Sequence, residues 1–171
     1  MSEERTDMPA QYISRLQGTH RIRSIGHKAA KLRFLADRGF PTPAAYVCNW
    51  EAHACHVQGD EEIAAALKAE LTAKLDRQKR YAVRSSANLE DGEAYSFAGQ
   101  FKSVLDVQGV DEILQAICSV WTAAQSEEVQ VYLGQHGISA RDLKMAVIIQ
   151  EMVPARVSGV AFSKNPITGL D

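Results

Sequence analysis

Two cations in this chain sit where a bound anion would explain them. Lys28, in "SIGHKAAKL", falls in the first turn of an expected helix, where the helix end already carries partial positive charge. Backbone N–H groups and the lysine together could hold an anion there, and Gly26 just before leaves room for a phosphate. The plain alternative is a solvated lysine with a few tenths of a kcal/mol, roughly, of unfavourable dipole energy. Arg84 ends the apolar run "RYAVRS", at the expected carboxyl end of a strand, where sheets of this kind tend to bind ligands. Its planar fork suits phosphate oxygens. A polar stretch, Ser86 to Gln100, then separates this strand from the next. Connections of that length inside a compact domain are uncommon and usually functional or disordered. Ser96, Phe97, Ala98 and Gly99 carry little bulk apart from one ring, and Gly99 permits close backbone approach to a ligand. The competing reading is a solvated hairpin in which Arg84 pairs with Glu90 or Asp91.

Two further stretches have chemical potential. "VIIQEMVP" is an apolar strand that turns polar and stops at a proline. Its end could read the nitrogens of a flat heterocycle, or it is a core strand entering a turn. "CNWEAHACH" holds Cys48, His53, Cys55 and His56, which resembles a set of zinc ligands. The spacing does not match paired CxxC sites, and no second half occurs, so no metal site is assigned. Cys118 lies among helix-stripe residues and reads as a small buried apolar group. There is no HExxH and no locally supported Ser-His-Asp set.

The elements that would position these residues follow from periodicity. Ser24 is an expected cap for a helix through "GHKAAKLRFLADRG", with Ala29, Leu32, Leu35 and Ala36 on one face and Gly39 ending it. "AAYVC" reads as a strand and 50–56 as a helix. Asp60 is the expected cap of a helix whose Ile63, Leu67, Leu71 and Leu75 recur every fourth position. Strands follow over 80–85 and 101–107, then one long helix over 110–133. "LKMAVIIQEMV" and "VSGVAFS" read as two more strands. Residues 1–20 are an extension or an early strand. The interleaving predicts an α+β (α/β mixed) fold.

The chain has 171 residues, 46% hydrophobic and 23% charged, with a net charge of -2. That is ordinary for a globular domain and does not suggest a nucleic-acid partner. No apolar run reaches the ~20 residues of a membrane helix, so no membrane partner is expected. The polar start is no secretory signal. Three cysteines cannot all pair, and a cytoplasmic location is the expectation.

Taken in order, "IGHKAAKLRFLADRGFPTPAAYVC", "YAVRSSANLEDGEAYSFAGQFKSVLDV", "MAVIIQEMV" and "SGVAFSKNPITG" resemble the N-terminal ATP-binding part of the phosphoenolpyruvate synthase and pyruvate phosphate dikinase family. That family includes rifampin phosphotransferase and the glucan water dikinases. The resemblance covers about residues 21–171 and implies an incomplete ATP-grasp-like domain. Its first lobe would span about 21–110, and its second would begin at about 111–171, after an extension over 1–20. It implies that Lys28 and Arg84 act on the phosphates as binding and catalytic groups. Ser96, Phe97, Ala98, Gly99 and Gln100 would close over them. Gln150, Glu151, Met152 and Val153 would read adenine, with the Glu151 carbonyl and the Val153 N–H facing the ring. The implied ligands are ATP and magnesium, with the magnesium ligands outside this chain. Phosphate would pass through a histidine on a separate swivelling domain to pyruvate or a related acceptor. His27 stands where the family usually has a second glycine. The resemblance implies a fragment that would not complete the reaction alone. A stand-alone, non-catalytic ATP-binding module, and the ATP site of an antibiotic or glucan phosphotransferase, are the alternative readings.

Overall fold

The computed structural model describes residues 11–17, 24–89 and 101–161. The elements in chain order are β1 (Ile13–Arg15), α1 (Gly26–Asp37), β2 (Ala45–Cys48), α2 (Trp50–Val57), α3 (Ile63–Lys74), β3 (Arg80–Ala87), β4 (Ser103–Gln108), α4 (Val110–Ala124), α5 (Glu127–Gln135) and β5 (Met145–Glu151). A single 3-10 turn, Ala140–Asp142, precedes β5. The expected mixed α+β class is what the chain adopts.

The strands form one five-stranded sheet in the order β1-β2-β5-β3-β4. Every neighbouring pair is antiparallel. β5 occupies the centre, and Met145 to Gln150 are all buried, as a strand covered on both faces requires. Stretches assigned to both expected lobes contribute strands to this sheet, and β1 comes from the N-terminal stretch.

Side chains alternate across the strands, so the sheet has two distinct faces. On one, Cys48, Tyr81, Val83, Met145, Val147 and Ile149 join the apolar sides of α2, α3 and α4 in the main core, with Trp121 fully buried among them. On the other, Ala45, Val47, Ala146 and Ile148 pack against Ile25 and Ala29 of the α1 region. Farther along α1, Phe34 and Leu35 are exposed, so the apolar stripe expected there is buried only at its start.

Local chemistry corrects several boundaries. The long helix expected over 110–133 is two helices. Gln125 closes α4, and the hydroxyl of Ser126, in extended geometry, accepts from the Val129 N–H at 3.4 Å to begin α5. Val129 and Leu133 then pack in a separate small cluster with Ile138 and Leu143. Ser24 does not cap α1; it sits at φ 63, and its hydroxyl donates to the Glu51 carboxylate. Asp60 accepts from the Glu62 N–H at 2.9 Å in a turn ahead of α3, rather than capping the helix itself. Of the strand expected over "VSGVAFS", residues 157–161 are exposed and not in a strand, and the rest lies outside the described residues.

Candidate functional site

The first turn of α1 is held on β3 by one serine. Ser86 is fully buried. Its hydroxyl accepts from the Ala29 N–H at 2.9 Å and donates to the Ile25 carbonyl at 2.7 Å. These are the two backbone groups that a first-turn helix bond would join. The approach is so close that a Cβ on Gly26 would lie 2.1 Å from the Ser86 carbonyl oxygen, and Gly26 has φ +72. Only glycine fits that position. Any side chain at position 26 would therefore collide with the backbone of β3.

This docking delivers Lys28 to the strand. Its ammonium donates to the Ser85 hydroxyl at 3.4 Å. Arg84 is the residue immediately before. It lies inside β3, opposite Ile148 and Ser103, not at the strand's carboxyl end as expected, because β3 continues to Ala87. Beyond Arg84, Ser85 to Ala87 still pair with β5 but have no β4 partner among the described residues. Alternation places Arg84 on the same sheet face as Ser86 and hence as α1. The guanidinium donates to the Gln150 side-chain oxygen at 3.5 Å. Among the described residues it makes no ion pair. Glu90 and Asp91, its expected alternative partners, lie outside them. Arg84 and Gln150 thus share this face, and Lys28 of α1 reaches Ser85, the strand neighbour of Arg84; Gln150 is buried and the two cations are half-buried.

β5 ends one residue beyond Gln150. Glu151 pairs with Tyr81 at the start of β3. Its N–H donates to the Ala44 carbonyl at 2.9 Å, and the Met152 N–H donates to the Arg80 carbonyl at 2.8 Å. The Val153 N–H makes no backbone hydrogen bond among the described residues. A cavity of about 410 Å³ opens here, lined by Lys79, Arg80, Asp106, Glu151, Met152 and Val153. Both Glu151 carboxylate oxygens accept from Lys79 at 2.9 Å, and this contact raises the lysine pKa. Arg80 is paired with Asp106 at 2.6 Å across an irregularity in the β3–β4 register. From Glu151 to the level of Ser85 is four strand positions, or about 13 Å at the usual rise. Ser96, Phe97, Ala98, Gly99 and Gln100 lie outside the described residues.

Among the described residues, no three histidine, cysteine or acidic side chains gather as metal ligands would. In the "CNWEAHACH" stretch, His53 and His56 stack on Trp121 at 5.6 and 5.0 Å. Cys48 is buried, and Cys55 lies 3.8 Å from the Tyr12 hydroxyl.

The residues missed in the sequence are Ser85 and Ser86. Their signal was present: two hydroxyls following an apolar strand. Their partners were not readable, because α1 lies nearly sixty positions earlier (Ala29 and Ser86 are 57 positions apart).

A family model described as "Pyruvate phosphate dikinase, AMP/ATP-binding domain" matches residues 53–171. A rifampicin phosphotransferase of Streptomyces sp is 40% identical over 109 residues, covering 64% of this chain and 12% of that protein. The prodigiosin synthesizing transferase PigC of Serratia marcescens is 32% identical over 168 residues, covering 85% of this chain and 19% of that protein. A phosphoenolpyruvate synthase of Pyrococcus furiosus is 36% identical over 109 residues, covering 63% and 13%. The chain thus spans between about an eighth and a fifth of the length of these curated relatives.

Proposed function

Because the chain belongs to the pyruvate phosphate dikinase AMP/ATP-binding domain family, we propose that the sheet face bearing Arg84 and Gln150, with the first turn of α1, is the floor of its ATP site. The observation that carries this is that Lys28 donates to Ser85, the residue next to Arg84 on β3. Two cations brought together in a partly desolvated setting favour a polyanion. The cavity beside Met152 and Val153 would take the adenine, and the interval of about 13 Å along β3 suits an extended nucleoside triphosphate between the two ends. The Val153 N–H and the Glu151 carbonyl would face the ring, and Ser96 to Gln100 would close over the phosphates. The first lobe would span about 21–110 and the second would begin over about 111–171, with β5 of the latter stretch paired into the common sheet.

In the longer protein, the ATP would phosphorylate a histidine on a separate domain, which then passes the group to an acceptor. Lys28 and Arg84 would position the phosphates and offset the charge that develops during transfer. Magnesium, if used, would be bound by residues outside this chain. Pyruvate or a related compound is the proposed acceptor, in line with the phosphoenolpyruvate synthase relatives. The similarity to a rifampicin phosphotransferase supports a second reading in which the acceptor is an antibiotic. Following labelled phosphate from ATP into a panel containing pyruvate and rifampicin separates the two.

The site itself is tested by ATP binding. Lys28→Ala and Arg84→Ala should each weaken binding by roughly tenfold to a hundredfold, the equivalent of one charge-assisted hydrogen bond. Unchanged affinity in both variants would remove the phosphate assignment.

A further inference from the structure

A cavity among the described residues lies on the opposite face of the sheet from α1. It encloses about 590 Å³ between α2, the end of α4 and the 3-10 turn, with Trp50, His53, Val57, Leu143, Arg141 and Lys144 in its wall. That volume is in the range of small-molecule sites.

The cavity is apolar inside and cationic at the rim. Trp50, Val57 and Leu143 supply apolar surface. Arg141 and Lys144 are exposed, and neither forms an ion pair among the described residues. The Lys144 ammonium lies 5.4 Å from the Trp50 ring centre. The acid in the wall, Glu51, already accepts from Ser24. His53 is 8% exposed, and its Nε2 has no hydrogen-bond partner among the described residues. Buried polar atoms in native interiors are rarely left so without a ligand or solvent partner. Burial, with the nearby His56, lowers the His53 pKa to about 4, so the imidazole is neutral and adds no charge near neutral pH.

The rim is also braced. The Asn88 side chain donates to the Asp142 carbonyl at 2.9 Å and accepts from the Lys144 N–H at 2.8 Å. These bonds tie the 3-10 turn to the chain just after β3, fixing the backbone that carries both cations. A wall held in place before binding lowers the entropy cost of binding.

We propose that this cavity binds a small aromatic carboxylate, its ring among the apolar side chains and its carboxylate held by Arg141 and Lys144. The chain has two tryptophans, and both report on the site: Trp50 lines the cavity and Trp121 stacks on His53. Benzoate is the probe, followed by tryptophan emission, with benzyl alcohol as its uncharged counterpart. Benzoate should give a saturable change. Its affinity should fall about tenfold or more in the R141E/K144E double variant, the loss expected for a charge-assisted contact. Benzyl alcohol should bind correspondingly more weakly than benzoate. Ala54→Trp, at an exposed position of the wall, should abolish the response by filling the cavity without altering either cation. Lys28→Ala should leave it unchanged. A non-saturable response, equal affinity for the two probes, equal affinity in the double variant, benzoate binding retained in Ala54→Trp, or benzoate binding lost in Lys28→Ala would each overturn the proposal.

Discussion

One hydroxyl, Ser86 Oγ, does most to fix the relation between α1 and the sheet. Ser86→Ala would leave the Ala29 N–H and the Ile25 carbonyl without that partner. The expected cost is about 1–3 kcal/mol, measurable by urea unfolding. Gly26→Ala should cost more, roughly 2–4 kcal/mol, because overpacking adds to backbone strain. Gly39→Ala is the control: its φ is +79, but an added Cβ there meets nothing within 4 Å, so only about 1 kcal/mol is expected. Equal losses in the two glycine variants would show that contact with Ser86 is unimportant. His53 gives a pH test. Its folded pKa of about 4 lies below the ordinary 6.5 because burial disfavours the charged ring. The unfolded chain therefore binds the proton more readily, so stability is full above about pH 6.5 and declines as pH falls toward 4. His53→Phe should flatten that part of the stability profile relative to wild type. Parallel profiles would show that His53 is not the group responsible. Lys28, Arg84 and Gln150 were recognisable as single residues, since a charge at a helix start or a polar side chain in an apolar strand is conspicuous. Gly26 was also conspicuous, but the strand backbone it lies against comes from far along the chain.

Periodicity located most helices and strands, and it failed where local polar chemistry interrupts an apolar stripe. The stripe from Val110 onward continues into residues that belong to α5, so one helix was expected. Ser126 followed by Glu127 and Glu128 is a helix start that the stripe concealed. Ser126→Ala should destabilise α5 by about 0.5–1 kcal/mol, with hydrogen exchange in 127–135 accelerating while α4 is unaffected. Acceleration throughout both helices would mean that they unfold as one unit. The early end of the "VSGVAFS" stretch shows the opposite error. Alternating apolar residues predict a strand, yet Val157 and Val160 are 89% and 81% exposed, with no sheet partner among the described residues. Strand propensity is realised only where there is a neighbouring strand and a face to bury.

Ligand linkage brings the elements together. A ligand that binds only the folded state stabilises it by about 2.7 kcal/mol at one hundred times its Kd. ATP should therefore raise the Tm of the chain, and the K28A/R84A double variant should show no such rise at the same concentration. A full rise in the double variant would place ATP elsewhere. The amino-acid sequence by itself determined the element types, the mixed α+β class, the family, and three polar residues standing out from apolar surroundings, because these depend on local patterning and on residue identity. Tertiary structure alone decided that β5 lies between β2 and β3, that Ser86 docks α1, and that Lys28 comes to the strand carrying Arg84. Those outcomes depend on which distant segments can bury their faces together, and no local pattern encodes a partner.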